Sequence, residues 1–158
     1  MKTITNELLN ELSEKAKKAP RNRINYNFHS DFADPINRML NCFEPGTYIR
    51  PHKHELPDKR EVFILLRGKL AVLEFNENGD ILECTILSHE NGCYGIEIAE
   101  KTWHSIICLE KDTVVYELKD GPYEPINDKN FASWSPLEGD ATCSEFLLQL
   151  TKKAGLVL

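Results

Sequence analysis

Apolar residues recur along the chain in two different periods, and the change of period divides it. Near the N-terminus Leu8, Leu12 and Ala16 repeat at helical spacing, Leu9 widens the stripe, Thr5 stands where an N-cap belongs and Pro20 ends the run. The pattern then alternates. Arg23, Asn25, Asn27 and His29 fall on one face of an extended segment and Ile24, Tyr26 and Phe28 on the other. From Met39 to about Leu118 short apolar runs are separated by turn signals: Pro45-Gly46, Gly68, Asn91-Gly92 and Glu110-Lys111-Asp112. Asn78-Gly79 lies between Ala71–Phe75 and Ile81-Leu82, where a type I′ hairpin turn fits. Many short strands at this spacing predict a sandwich or a barrel, and a jelly roll is one way to limit exposed edges.

The tail changes character. Gly121-Pro122-Tyr123-Glu124-Pro125 and Trp134-Ser135-Pro136 interrupt regular structure. Thr142 with Glu145 reads as a capping box opening a last helix. Phe146, Leu147 and Leu150 supply its apolar face, Lys152 and Lys153 suit its C-terminal end, and Gly155 its stop. The expected organisation is one domain over residues 1–158: an N-terminal helix (1–20), a barrel (21–120), an irregular wrap (121–139) and a C-terminal helix (140–158).

Composition narrows the functional classes. The formal net charge of −6 argues against a nucleic-acid partner, which calls for a basic face, though a local basic cluster still leaves an anionic small molecule open. No apolar run approaches the ~20 residues that span a bilayer, and the N-terminus reads as an amphipathic helix rather than a signal-peptide core. Cys42, Cys84, Cys93, Cys108 and Cys143 are odd in number and irregular in spacing, which suits free thiols and a cytoplasmic setting.

The most informative stretch is Gly46 to His54. His52 and His54 point the same way on an extended strand, and two buried imidazoles need a partner. A divalent metal is one, because neutral imidazole is a common ligand. Glu61 opens the run Glu61-Val62-Phe63-Ile64-Leu65-Leu66 on the Phe63/Leu65 face, where a carboxylate also requires compensation. His104 shares a face with Ile106 on Trp103–Ile107. Three imidazoles and a carboxylate leave coordination positions open on most first-row metals (Zn, Fe, Mn or Ni), which fits chemistry better than a purely structural site. Against this, a histidine pair at this spacing also occurs on wet strand edges, and His104 could be a hydrogen-bonded core residue.

The run Gly46-x5-His52-x-His54-x6-Glu61-x6-Gly68 resembles the first cupin motif, with a slightly longer ligand loop. Of the second cupin motif only His104 remains, since Ala99, Lys101 and Cys108 stand at its proline, glycine and asparagine positions. Arg23–His29, Gly46–His54, Lys119-Asp120-Gly121-Pro122-Tyr123 and Asp128-Lys129-x-Phe131-Ala132-x-Trp134 together resemble the WbuC-type cupins, small metalloproteins encoded among genes for bacterial surface polysaccharides. The resemblance implies a cupin double-stranded β-helix (jelly-roll) barrel with an N-terminal helical extension. It also implies that part of the Arg23–His29 face points into the barrel mouth; read without it, that face is the wet side of an edge strand.

On this reading the protein acts on a sugar-derived small molecule, a carbohydrate or nucleotide-sugar intermediate, by metal-assisted isomerisation or epimerisation. Arg50, or Arg23 with Asn25, would fix the substrate, and His29 and Tyr48 are the candidate general bases. Tyr48 and Arg50 are in phase with His52 only if Pro51 introduces no bulge. Alternatives are an iron-dependent dioxygenase of a small metabolite and a non-catalytic sugar-binding or sensor module. Glu55, Lys59 and His89 read as solvated loop residues, Trp134 as part of the wrap, a lid or a dimer contact, and the Phe146/Leu147/Leu150 face as the contact of a homodimer.

Overall fold

The computed structural model describes residues 1–124 and 129–157; Pro125 and Asp128, named above, lie outside the described residues. Its elements are α1 (Asn6–Lys18), β1 (Arg23–Asn27), β2 (Ile36–Phe43), β3 (His52–Lys53), β4 (Glu61–Arg67), β5 (Lys69–Phe75), β6 (Ile81–Ser88), β7 (Gly95–Ile98), β8 (Trp103–Cys108), β9 (Thr113–Asp120), β10 (Asn130–Phe131) and α2 (Cys143–Lys153). They form two five-stranded sheets, β1-β2-β9-β4-β7 and β10-β3-β8-β5-β6, with antiparallel pairing throughout. This is the mainly-β jelly-roll architecture expected, closed by one helix on each outer face.

Alternation along the strands decides what lies inside. Phe43, Phe63, Leu65, Leu70, Val72, Ile106, Cys108 and Val115 meet between the sheets as one apolar core. The opposite side chains face outward and are covered by helices. Leu9, Leu12 and Ala16 of α1 pack on Leu40, Cys42 and Val114 of the first sheet. Cys143, Leu147 and Leu150 of α2 pack on Ala71, Leu73, Phe75 and Ile107 of the second. The apolar face of α2, expected to serve a dimer, is therefore covered within its own chain.

The N-terminus of α1 is as expected: the Thr5 hydroxyl accepts from the Leu8 N–H at 3.3 Å. The start of α2 is not. Thr142 sits in helical backbone conformation and its side chain makes no capping hydrogen bond, so no capping box forms. The β5–β6 connection also differs from a two-residue turn. Asn76 Oδ1 accepts from the Asn78 and Asp80 N–H groups, and the Gly79 N–H donates to Asn76 O at 3.1 Å. Gly79 (φ +85°) is held against the Trp134 ring, 2.7 Å from where a Cβ would stand. Any side chain there would displace that indole. Trp134 also packs on Phe75 and Trp103, so it belongs to the wrap.

The wrap is less irregular than the sequence suggests. β10 adds an edge strand beside β3, pairing Phe131 with His52, and the Ala132 N–H donates to Pro51 O at 2.9 Å. Lys59 is a further correction: it is 2 % exposed rather than solvated, and its Nζ donates to Pro122 O, tying the ligand loop to the wrap. The four-carbon stem of a lysine hides easily when its head has a carbonyl to bind.

Candidate metal centre

One end of the space between the sheets is polar, and three strands with the turn after β3 bring its histidines and glutamate together. β3 carries His52 toward its neighbour β8, where His104 is the directly paired residue. The chain continues through His54, and Glu61 enters from the facing sheet at the start of β4. One donor atom from each of His52, His54, Glu61 and His104 lies within 4.8 Å of all the others, and all four residues are buried. Glu61 Oε1 is 2.9 Å from His54 Nε2 and Oε2 is 3.1 Å from His104 Nε2.

The donor set fits a metal ion. The Nδ1 atoms of His52 and His104 each lie 2.9 Å from a backbone carbonyl, Arg50 O and Thr102 O. A carbonyl only accepts, so each Nδ1 carries the proton and the ring turns its Nε2 lone pair inward. For His104 that lone pair faces a carboxylate oxygen, an arrangement that requires a cation between them, either a second proton or a metal ion. Burial, with the charge of Lys129 adding to it, holds His52 well below the usual imidazole range and keeps it neutral, the form that ligates. Burial alone would raise the Glu61 carboxyl, but the His104 and His54 imidazoles against its oxygens outweigh it and hold Glu61 well below the usual carboxylate range.

The cluster opens on a cavity of about 530 Å³ between the sheets. Arg23, Asn25, Asn27 and His29 all line it, together with Arg50, so the polar face of the β1 segment looks inward as the family resemblance implied. All of these groups are already hydrogen-bonded within the protein. The Arg23 guanidinium donates to Tyr48 O at 2.8 Å and to Glu138 Oε1 at 2.5 Å. The Arg50 guanidinium donates to Ala132 O at 2.8 Å and to Ser135 Oγ at 3.2 Å, and lies over the Phe131 ring. The amide of Asn25 donates to Asn27 Oδ1 at 2.8 Å. His29 Nδ1 is 3.1 Å from the Arg38 N–H.

Tyr48 lies elsewhere. Its ring packs on Phe146 of α2 and its hydroxyl donates to Pro136 O at 2.9 Å, outside the cavity. The strict alternation that would have put Tyr48 beside His52 fails because residues 47–51 are not strand: Ile49 and Arg50, adjacent in sequence, both reach the cavity. Burial pushes the Tyr48 hydroxyl up to about 12, which further removes it from proton transfer near neutrality.

Among the cavity residues not singled out for this site from the sequence are four polar ones on β2 and β9: Asn37, Asn41, Glu117 and Lys119. In β9 the residues Val115, Glu117 and Lys119 share the inward face; in β2 Asn37, Met39, Asn41 and Phe43 do. Register then sets them in rows. Asn37 pairs with Lys119 and Lys119 with Glu61; Met39 pairs with Glu117 and Glu117 with Phe63. Lys119 Nζ is 3.6 Å from Glu61 Oε1. The Asn41 amide donates to Glu117 Oε2. Burial, reinforced by the charge of Glu61, pushes the Glu117 carboxyl up to about 7. The signal was present: charges in phase with core positions of a strand.

Known proteins share this fold. A family model described as a domain of unknown function, DUF6016, matches residues 4–87, more than half of the chain. No curated protein matches the chain in sequence. Among solved structures, KdgF from Halomonas sp. is 20 % identical with a TM-score of 0.51, over 68 % of this chain and 84 % of that one. Cellulomonas parahominis L-ribose isomerase is 15 % identical with a TM-score of 0.56, over 70 % of this chain and 69 % of that one. The capsular polysaccharide assembling protein CapF from Staphylococcus aureus is 21 % identical with a TM-score of 0.56, over 68 % of this chain but only 28 % of CapF. These likenesses establish the fold as that of the cupins.

Proposed function

The chain belongs to the family described as DUF6016, and we propose that within it this protein is a metal-dependent enzyme acting on a carbohydrate or nucleotide-sugar intermediate of surface polysaccharide biosynthesis, by isomerisation or epimerisation. The observation that carries the reading is the buried His52–His54–Glu61–His104 cluster opening on a cavity whose other walls are rich in carboxamides and hold a carboxylate. A divalent metal held by these four residues supplies Lewis acidity toward the oxygens of a sugar. The fold is shared with an L-ribose isomerase and with a capsular polysaccharide assembling protein. The repeated resemblance of Arg23–His29, Gly46–His54 and Lys119–Tyr123 to WbuC-type cupins supports the same substrate class.

Isomerisation and epimerisation both move a proton off and onto carbon. Glu117, held by the Asn41 amide in the cavity wall, takes that role in our reading, with His29 at the β1 side as the other group able to exchange a proton. Asn25 and Asn27 address hydroxyl groups, and Arg23 and Arg50 shape the wall through their fixed guanidinium groups. Two groups of this kind in the cavity on which the cluster opens favour an enzyme over a passive sugar-binding or sensor module.

The test is solvent exchange. Metal-loaded protein incubated in D2O with a panel of aldoses, ketoses and nucleotide sugars should introduce deuterium at a carbon next to a carbonyl in at least one of them, read by proton NMR. No exchange across the panel, or oxygen uptake by the iron-loaded protein with a small metabolite, would contradict the proposal. It includes a cytoplasmic homodimer, assembled through a surface other than the covered face of α2; a light-scattering mass near 18.1 kDa would contradict that part.

A further inference from the structure

Asn37 stands out in the cavity wall. It is 1 % exposed, and neither its amide nitrogen nor its amide oxygen has a hydrogen-bond partner among the described residues. A buried carboxamide left unpaired at both ends is costly, and a leucine would fill the same space without that penalty. Nothing in the local fold calls for it, since the β2–β9 ladder is made by backbone groups whatever the side chain. The unpaired amide is therefore best understood through what enters the cavity.

We propose that Asn37 anchors a pair of neighbouring hydroxyl groups on the uncharged sugar portion of the ligand, across the sheet from Glu61. The inference rests on the reading of this cavity as a metal-centred sugar site and specifies the ligand chemistry. Three observations carry it. First, a carboxamide offers an acceptor and donors side by side, which a vicinal diol satisfies with one hydroxyl donating and the next accepting, while a carboxylate or phosphate would leave the amide oxygen unpaired. Second, register sets Asn37 in one row with Lys119 and Glu61, two strand spacings or roughly 9–10 Å across the sheet. The amide is thus set two strands away from the carboxylate of the cluster, and a ligand meeting both must extend along this row. Third, three of the cations that line the cavity are already engaged within the protein. Arg23 is paired with Glu138, Arg50 is bound to Ala132 O and Ser135, and Lys119 lies against Glu61. Beside this row the Phe32 and Tyr123 rings, 5.1 Å apart, give an apolar surface of the kind that the C–H face of a sugar covers.

The experiment pairs stability with binding. The full chain, loaded with Mn(II) and checked for stoichiometric metal, is titrated calorimetrically with D-ribose, D-xylose, D-mannose and D-sorbitol, alongside Asn37→Leu and Asn37→Asp treated identically. At least one uncharged probe should bind the wild type, and Asn37→Leu should weaken it about 10-fold or more while leaving the melting temperature unchanged or higher. Asn37→Asp, which keeps the shape and loses the donor, should weaken it as well. A lowered melting temperature or failed folding of Asn37→Leu would show the amide to be structural and overturn the inference. So would unchanged affinity in both variants, or binding of none of the probes by the metal-loaded wild type. Failure to take up metal at all would instead bring down the underlying reading, a result recognisable before any sugar is added.

Discussion

The two ends of the barrel interior are made by the same strands and behave as different materials. β4 passes from Glu61 to Phe63 and Leu65, β9 from Lys119 and Glu117 to Val115, β8 from His104 to Ile106 and Cys108, and β2 from Asn37 to Phe43. At one end every inward side chain is apolar and closes on its neighbours. At the other, the same inward positions hold imidazoles, carboxylates, an ammonium and amides. The apolar end needs no partner beyond itself and fixes the geometry. The polar end carries charges and lone pairs whose desolvation is only partly compensated by protein, and it acquires its remaining partners from what binds there. Stability and chemistry are thus separated along each strand, a few residues apart.

That separation gives a ranked set of expectations. At the apolar end, Leu65→Ala should lower unfolding stability by about 2–5 kcal/mol in chemical denaturation, because Leu65 is 2 % exposed in close packing. Metal affinity of the folded fraction should be little changed. At the polar end, Glu61→Gln should weaken metal binding by more than about 100-fold in chelator competition, and abolish the rise in melting temperature that added metal gives the wild type. A Glu61→Gln protein that still gains stability from metal would erase the distinction between the ends.

A smaller effect separates the two kinds of carboxylate. In metal-free protein the Glu117 carboxyl is raised to about 7 by burial and by the charge of Glu61. The folded state then binds its proton more tightly than the unfolded chain does, so stability is fully present below the unfolded carboxylate value and is lost as pH rises through about 7. Glu117→Gln removes that loss. Its melting temperature should exceed the wild type's at pH 8 and approach it at pH 5; the reverse order would mean that Glu117 is stabilised as an anion. Smallest of all, Tyr48→Phe should cost about 0.5–1.5 kcal/mol through the lost hydrogen bond to Pro136 O and leave metal affinity and turnover unchanged.

Much of this was legible before any coordinates. The HxH spacing, the carboxylate on the Phe63/Leu65 face and the histidine in phase with Ile106 each follow from period-two alternation, and the structure brings all four residues together. Alternation also explains what was missed. Glu117, Lys119, Asn37 and Asn41 obey the same rule in β9 and β2, but charges and amides in a strand are ordinarily assigned to solvent, and only register shows that they face the cluster. Tyr48 failed for the opposite reason: alternation was extended across residues 47–51, where there is no strand to support it. The α2 face was legible as an apolar stripe but not as to what it covers, since a helix can bury against its own sheet as well as against a second copy. Lys59 shows the same limit, because a carbonyl at Pro122, far along the chain, decides its burial.

The most direct measurement is a crystal structure of cobalt-loaded protein with anomalous data collected on both sides of the cobalt edge. One anomalous peak is expected, at roughly 2.0–2.2 Å from the Nε2 atoms of His52, His54 and His104 and from a Glu61 oxygen, with open positions toward the Asn37–Lys119 row. A peak located elsewhere, or no peak with His54 and His104 still bonded to the Glu61 carboxylate, would contradict a metal centre between the sheets.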